Sequence, residues 1–251
     1  MCMNNYSKKI NSKNGFTLIE VSLVIVIFAI IVTAISAGAH LIRSSELRSV
    51  VAQVQDFKNM VVGFEEKYNA LPGDMNFAEE IWPGETVNGD GDRIINYLVG
   101  TGAGFNEDLR AWQHLSLAKI LPGSFTGELE GGILLTEVNV PASKIDETGY
   151  RLVQPTYTVY GKKENAFILG LAGYSFISGA IFKSLEAWII DKKMDDGIAY
   201  TGLVSSINGY SQEGSTFWQG TECVTDPITS KSSYYTQDDE KPICTIHFWL
   251  K

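Results

Sequence analysis

Histidine and cysteine are scarce in this chain, which contains three of each in 251 residues. The histidines show no H-E-x-x-H or comparable spacing, so the sequence predicts no histidine-based metalloenzyme site. Basic residues are also few, with 20 Lys and Arg against 29 Asp and Glu and a net charge of −9. This balance argues against a nucleic-acid-binding protein, whose binding surface would be basic.

The sequence also lacks a complete catalytic motif. The segment around Ser211 places Glu213 where a nucleophile elbow requires Gly. The glycine-rich segment 100–105 places Phe105 where a dinucleotide-binding loop requires Gly. We therefore expect that the chain is not an enzyme.

Long apolar runs are absent except at one place, residues 16–39. Eighteen of these 24 residues are hydrophobic, and Glu20 is the one charged residue among them. As a helix the run would be about 36 Å long, which is enough to cross a bilayer core of about 30 Å. The sequence therefore predicts one membrane span followed by a domain of ordinary soluble composition.

The charges before this run predict its orientation. Lys8, Lys9 and Lys13 precede it, and residues 1–15 contain no acid. By the positive-inside rule, the N-terminus stays in the cytoplasm and the rest of the chain faces outward. Three interpretations are open at this point: a plain single-span anchor, a secretory signal cut at the Ala37–Ala39 motif, and a third that depends on the start of the run.

The start of the run reads Phe-Thr-Leu-Ile-Glu and follows Gly15 directly. Together with the basic segment and the uninterrupted apolar run, it resembles the signal of type IV pilins and pseudopilins. The resemblance implies that residues 1–15 are a leader, and that an aspartyl prepilin peptidase cuts between Gly15 and Phe16. It also implies N-methylation of Phe16 by the peptidase and methylase activity.

Glu20 has an energetic cost in this setting. A carboxylate within a membrane span costs roughly 2.5–3.5 kcal/mol even on lenient scales, and a plain anchor has no use for one. The resemblance implies a role in assembly, in which Glu20 of one subunit pairs with the cationic Phe16 amine of a neighbour. The alternative is an incidental Glu that is buried in its protonated form.

Helical periodicity continues beyond the membrane run. Apolar residues recur at steps of three and four from Leu47 to Tyr68, and no proline occurs before Pro72. We expect one helix with an apolar half at 16–39 and an amphipathic half at 40–68 that packs on a head. A break at Gly38 into two separate helices is the alternative.

The head is expected to span residues 69–251. The family resemblance and the mixed pattern indicate an α+β, pilin-like lollipop, in which the long N-terminal helix packs on a globular head with an antiparallel sheet. We predict a short helix at 75–82 capped by Asp74, and further helices from Asn106 to Leu121 and from Ser184 to Met194. The predicted strands are Gly132–Val138, Tyr157–Tyr160, Ala166–Leu171 and Cys244–Leu250.

Two of the three cysteines would remain after removal of the leader, which contains Cys2. Many type IV pilins close a C-terminal loop with a disulfide, and the resemblance therefore implies a Cys223–Cys244 bond. Two free thiols are the alternative.

A metal site is a further expectation. Asn88, Asp90 and Asp92 place oxygens at alternate positions, as in a calcium loop, although Arg93 and Val99 occupy positions at which an EF-hand requires Gly and Glu. Turn formation explains the same residues, and no other cofactor is expected. A second acidic group, Asp191, Asp195 and Asp196, predicts a helix end and a tight turn before Gly197, and cation binding is the alternative.

These features predict a structural, minor subunit of a type IV pilus or type II secretion pseudopilus. The resemblance implies as partners the prepilin peptidase/methylase, other pilin or pseudopilin subunits, an inner-membrane assembly platform and membrane lipid. We expect the chain in the bacterial inner membrane with a periplasmic head, and then in the filament. The alternative function is a single-span, membrane-anchored binding protein with no filament role.

Overall fold

The computed structural model describes residues 15–97, 105–155, 162–172, 179–209, 223–225, 233–234 and 242–250. The helices are α1 (Leu18–Tyr68), α2 (Ala78–Ile81), α3 (Glu107–Leu117) and α4 (Ser184–Met194). The strands are β1 (Thr148–Val153), β2 (Ala166–Leu171), β3 (Val204–Asn208) and β4 (Cys244–Trp249). The chain divides into two compact units, Met1–Ser45 and Glu46–Lys251.

The long predicted helix is confirmed as α1, and Gly38 lies inside it. In the second unit, the predicted apolar stripe is buried at Leu47, Val50, Val54, Phe57, Val61 and Phe64. The helix ends after Tyr68, where Asn69 adopts a left-handed φ of 54°. Pro72 follows three residues later and prevents the helix from continuing.

The second unit contains a four-stranded antiparallel sheet in the order β1-β2-β4-β3. An α+β class with a long N-terminal helix and an antiparallel sheet is therefore confirmed. The predicted strand Ala166–Leu171 is β2, and the predicted strand Cys244–Leu250 is β4, which ends one residue earlier.

Two other strand predictions have different outcomes. A strand at Gly132–Val138 is wrong, because that segment forms isolated bridges at Ile133 and Thr136 instead. Gly132 and Glu137 have φ values of 81° and 62°, which interrupt an extended backbone. The predicted strand Tyr157–Tyr160 lies outside the described residues.

The predicted helix Ser184–Met194 is confirmed as α4. The side chain of Glu186 accepts a 3.0 Å hydrogen bond from the backbone N–H of Lys183, as an N3 residue does in a capping box. The predicted cap at Asp74 is wrong, since α2 starts later, after Phe77. Asn106 precedes α3 as predicted, but it has a left-handed φ of 53° and makes no side-chain cap.

An aromatic cluster joins the elements of the second unit. Phe57 of α1 makes edge-to-face contacts with Trp112 of α3 and Tyr150 of β1, with ring centroids 5.0 Å apart in both cases. Phe167 of β2 lies 5.9 Å from Phe57 and from Trp112. Such pairs stabilise by about 0.5–1.5 kcal/mol beyond their buried area, so the cluster fixes this part of α1 on the sheet.

A buried ion pair joins α3 to β1. The Arg151 guanidinium donates from Nε to the Asp108 carboxylate, and the two side chains are 5% and 1% exposed. Breaking such a pair leaves one uncompensated charge in the interior.

We expect Asp108→Ala to destabilise the second unit by about 3–5 kcal/mol, because Arg151 would remain buried without its partner. Urea unfolding of the detergent-solubilised chain, followed by tryptophan fluorescence, measures this loss. The control is Asp108→Leu combined with Arg151→Met, which removes both charges and should cost less than Asp108→Ala alone. A loss below about 1 kcal/mol for the single variant would contradict the assigned role of the pair.

Candidate processing and assembly site

The predicted cleavage point lies just before α1. Gly15, Phe16 and Thr17 have no regular secondary structure, and the Phe16 side chain is exposed. A Cβ added at Gly15 would meet no atom within 4 Å, so the described fold places no packing constraint on this residue. The Gly15–Phe16 bond is therefore in accessible, non-helical backbone.

Glu20 and Thr17 form a capping box at the first turn of α1. The Glu20 carboxylate accepts hydrogen bonds from the Thr17 backbone N–H at 2.7 Å and from the Thr17 hydroxyl at 2.8 Å. The Glu20 backbone N–H donates in turn to the Thr17 hydroxyl at 3.3 Å. These bonds satisfy N–H groups that a helix N-terminus leaves without partners.

Sequence reasoning missed this role of Thr17. The signal is present as Thr-x-x-Glu at residues 17–20 immediately before an apolar run, which is the standard pattern of a capping box. The capping bonds hold the Glu20 carboxylate at the N-terminal end of α1, against Thr17, which directly follows the predicted new N-terminus, Phe16. An acid at this position also interacts favourably with the helix dipole.

The apolar part of α1 exposes its side chains. Leu18, Ile19, Phe28 and Ile35 are among those with more than half of their surface accessible. Among the described residues, α1 is the one helix long and apolar enough to cross a membrane. Exposure of so large an apolar surface to water is unfavourable. We therefore expect lipid or neighbouring apolar helices to cover it.

A carboxyl cluster in the second unit includes one of the predicted calcium ligands. Asp74, Asp90 and Glu107 each place a carboxylate oxygen within 4.8 Å of the others. Of the predicted ligands, Asp90 belongs to this cluster. Asn88 and Asp92 instead accept backbone hydrogen bonds, from Glu79 at 2.9 Å and from Ile94 at 2.7 Å. Calcium binding stays a prediction.

Backbone N–H groups surround this cluster. Asp74 accepts from Gly91 at 2.8 Å and from Arg93 at 3.0 Å, and Glu107 accepts from Asp90 and Asn96. Burial nevertheless raises the pKa of Asp74 to about 6 and that of Glu107 to about 7, and the neighbouring carboxylates add to both shifts. Two groups that are carboxylates in water are thus partly protonated near neutral pH.

The raised pKa of Glu107 predicts a pH effect on stability. A folded-state pKa above the unfolded value stabilises the protein at low pH, and this stabilisation is lost as pH rises from about 4.5 to about 7. We expect the unfolding free energy of the wild type, relative to Glu107→Gln, to fall by roughly 1–2 kcal/mol across this window. Urea titrations at pH 4.5 and 7.5 measure it.

Taking the difference between the wild type and Glu107→Gln removes the contributions of groups that do not interact with Glu107, the two buried histidines included. Burial lowers the pKa of His114 to about 3 and that of His247 to about 4, and these shifts change stability with pH in the opposite direction. Both histidines are present in both variants, so their contributions cancel. A difference that is constant with pH, or that rises with it, would contradict the raised pKa of Glu107.

The second acidic group stabilises the turn after α4. Asp191, Asp195 and Asp196 lie together, and each accepts a hydrogen bond from backbone N–H groups of residues 197–204. Gly197 adopts a φ of 78° in this turn. The observed contacts agree with the predicted helix end and tight turn.

Cys223 and Cys244 are joined by a disulfide across 21 positions of sequence. Both cysteines are buried, and Cys244 begins β4. The bond therefore attaches the segment at 223–225 to the sheet.

Comparison with protein families gives one match. The model described as the prokaryotic N-terminal methylation motif matches residues 10–36, which include the predicted cut, the capping box and most of the apolar run. No curated protein and no solved structure is significantly similar to the chain. The chain therefore carries, at residues 10–36, the N-terminal methylation motif that is the signal of type IV pilins and pseudopilins, and with its apolar helix this fits a membrane-anchored, pilin-like subunit.

Proposed function

We propose that the chain is a structural, minor subunit of a type IV pilus or type II secretion pseudopilus and has no catalytic role. The observation that carries this proposal is the position of the methylation motif. Its cleavage point lies in accessible backbone, directly before a helix whose apolar side chains are exposed from Leu18 to Ile35.

Processing and assembly follow from this arrangement. The prepilin peptidase cuts after Gly15, and the methylase modifies the new amine of Phe16. The Glu20 carboxylate, held at the same end of α1, then pairs with the Phe16 amine of a neighbouring subunit. In a low-dielectric surrounding, each of these charges compensates the other, whereas either one alone would be strongly unfavourable.

The location that we propose is the bacterial inner membrane, with the head in the periplasm and membrane lipid around the apolar half of α1. The leader lysines support this orientation. The Cys223–Cys244 disulfide also supports it, because such bonds persist in oxidising compartments. An inner-membrane assembly platform would extract the subunit into the filament.

The disulfide favours a pilus over a pseudopilus, since it resembles the C-terminal bond of many type IV pilins. The size of the head, residues 69–251, favours a minor subunit over a major one. The alternative proposal is a single-span, membrane-anchored binding protein with no filament role.

Shearing cells that express the chain together with a filament machinery separates the two proposals. A filament subunit is expected in the sheared filament fraction, at a small ratio to the major subunit. A plain anchor would stay with the membranes in every preparation. Complete absence from purified filaments, with normal amounts in the membrane, would contradict the proposed function.

A further inference from the structure

A pocket of about 200 Å³ lies beside the amphipathic half of α1. Its walls come from α1 and the segment that follows it, from residues directly after β1 and directly before β2, and from Leu250 after β4. All of these residues belong to the second unit. An apolar cavity of about 150 Å³ holds one benzene molecule, whereas drug-sized ligands occupy roughly 300–1,000 Å³. The volume therefore admits one small ring or one short chain.

The inner wall of this pocket is apolar. Val61 of α1 and Leu71 line it and are only 2% and 6% exposed, and Leu250 is partly buried beside them. Val62 also lines the pocket but is 53% exposed, so it belongs to the rim. A ligand in this pocket would remove the apolar wall from water, and the wall therefore favours a ligand with an apolar body.

Of the described residues that line the pocket, five are charged, and four of these are offset by a neighbour. Arg93 donates to Glu65 in an ion pair. Lys163 and Glu164 are consecutive, exposed residues of opposite charge. The fifth is Lys58, which makes no hydrogen bond or ion pair with any other described residue. The pocket therefore contains one cation that lacks a counter-charge in direct contact.

The fold removes Lys58 partly from water. Burial lowers the pKa of its ammonium group, while Asp195 opposes this shift and Lys162 adds to it. The Asp195 carboxylate is not in contact with Lys58 and instead accepts backbone hydrogen bonds from Leu203 and Val204. An anion next to a partly buried ammonium group is screened less by solvent than one at an exposed lysine. Lys58 is therefore suited to bind an anionic group.

We propose that this pocket binds a small, free monocarboxylic acid with an apolar body. Its carboxylate accepts charge-assisted hydrogen bonds from the Lys58 ammonium group, and its body packs on Val61 and Leu71. A ligand with more negative charge would also meet the carboxylates of Glu65 and Glu164, so a single charge fits best. The end of a peptide chain carries the same group, but it needs more room than the pocket has. This binding activity is separate from leader removal and filament assembly and depends on neither.

Fluorine NMR of para-fluorobenzoate with the detergent-solubilised full chain tests the site. We expect saturable broadening of the probe signal, relative to the same detergent without protein. Unlabelled benzoate should displace the probe. Benzamide, which has the same ring without the charge, should displace it much less, and N-acetylleucine, which represents the end of a peptide, should not displace it.

Four variants locate the bound probe. Lys58→Met keeps the apolar stem and removes the charge, and we expect it to weaken binding about tenfold or more, because it removes a hydrogen bond between charged groups. Lys58→Arg keeps the charge and should bind more tightly than Lys58→Met, which a general loss of folding would not produce. Val62→Trp should weaken binding by filling the pocket without any change of charge. The matched control is Lys144→Met at an exposed lysine outside the pocket, which should bind like the wild type.

The possible results are distinct. Absence of saturable binding by the wild type at millimolar probe would overturn the proposed site. Equal binding by the wild type and Lys58→Met, or by the wild type and Val62→Trp, would also overturn it, because the probe would then bind elsewhere. Displacement by N-acetylleucine as effective as that by benzoate would overturn the assignment to a free acid.

Discussion

Replacing Glu20 with valine is expected to leave the chain inserted in the membrane and to abolish its incorporation into filaments. The substitution removes the one charged residue of the apolar run, so membrane insertion becomes more favourable, by less than the roughly 2.5–3.5 kcal/mol that a charge costs at the centre of a span, because Glu20 lies near the end of the run. It also removes the anion that is proposed to pair with the Phe16 amine of a neighbour. The measurement is the amount of the chain in membranes and in sheared filaments.

The capping box requires a control, because Glu20→Val also removes hydrogen bonds to Thr17. Glu20→Gln keeps a side chain that can complete the box but carries no charge. Thr17→Val removes the hydroxyl and keeps the charge. If charge pairing drives assembly, Glu20→Gln fails to assemble and Thr17→Val assembles. Normal assembly of Glu20→Gln would show that the cap, and not the charge, is what matters.

Replacing Gly15 with valine is expected to block leader removal, so that the full-length precursor accumulates in the membrane. The methylation motif implies a peptidase that cuts after Gly, and a branched side chain at this position would enlarge the residue that the enzyme must accept. Nothing in the described structure contacts a Cβ at Gly15, so the substitution should not disturb the fold. Mass spectrometry of the membrane-extracted chain measures the precursor.

The matched control is Gly38→Ala. A Cβ at Gly38 likewise meets no atom within 4 Å, and the residue lies in the interior of α1, away from the cut. We expect normal processing of this variant, since alanine is favourable in a helix. Efficient removal of the leader from the Gly15→Val chain would contradict the assigned cleavage point.

Local patterns in the sequence predicted the elements that depend on local chemistry. The long helix α1 has a continuous periodicity and a proline after its end, and α4 has a clear start and an apolar side. The helix at Asn106 was also predicted, although its end was placed at Leu121 instead of Leu117. The Thr17–Glu20 box was equally local and was overlooked.

Strands β1 and β3 were not predicted, because their polar residues find partners that are distant in sequence. Arg151 in β1 is buried because Asp108 pairs with it. In β3, Ser205 accepts a hydrogen bond from the Trp249 indole at 2.8 Å, and Ser206 lies 2.9 Å from the Tyr234 hydroxyl. When these distant partners are not known, the polar residues of both segments favour the prediction of a loop.

The carboxyl cluster is non-local for the same reason. Spacing alone grouped Asn88, Asp90 and Asp92, whereas the fold brings Asp90 to Asp74 and Glu107. The cluster depends on a close approach between the backbones of Gly89 and Asp74. A Cβ added at Gly89 would lie 2.3 Å from the backbone carbonyl carbon of Asp74. Glycine at 89 is therefore required by a contact that is visible only in the folded chain.

The measurement that tests the central claim most directly is the N-terminal sequence and intact mass of the mature chain purified from membranes. We expect N-methylated Phe16 as the first residue and a mass that lacks residues 1–15 and includes one added methyl group. An intact Met1 would instead identify a plain membrane anchor. A chain that begins at His40 would identify a secretory signal cut after Ala39, and either result would contradict the account.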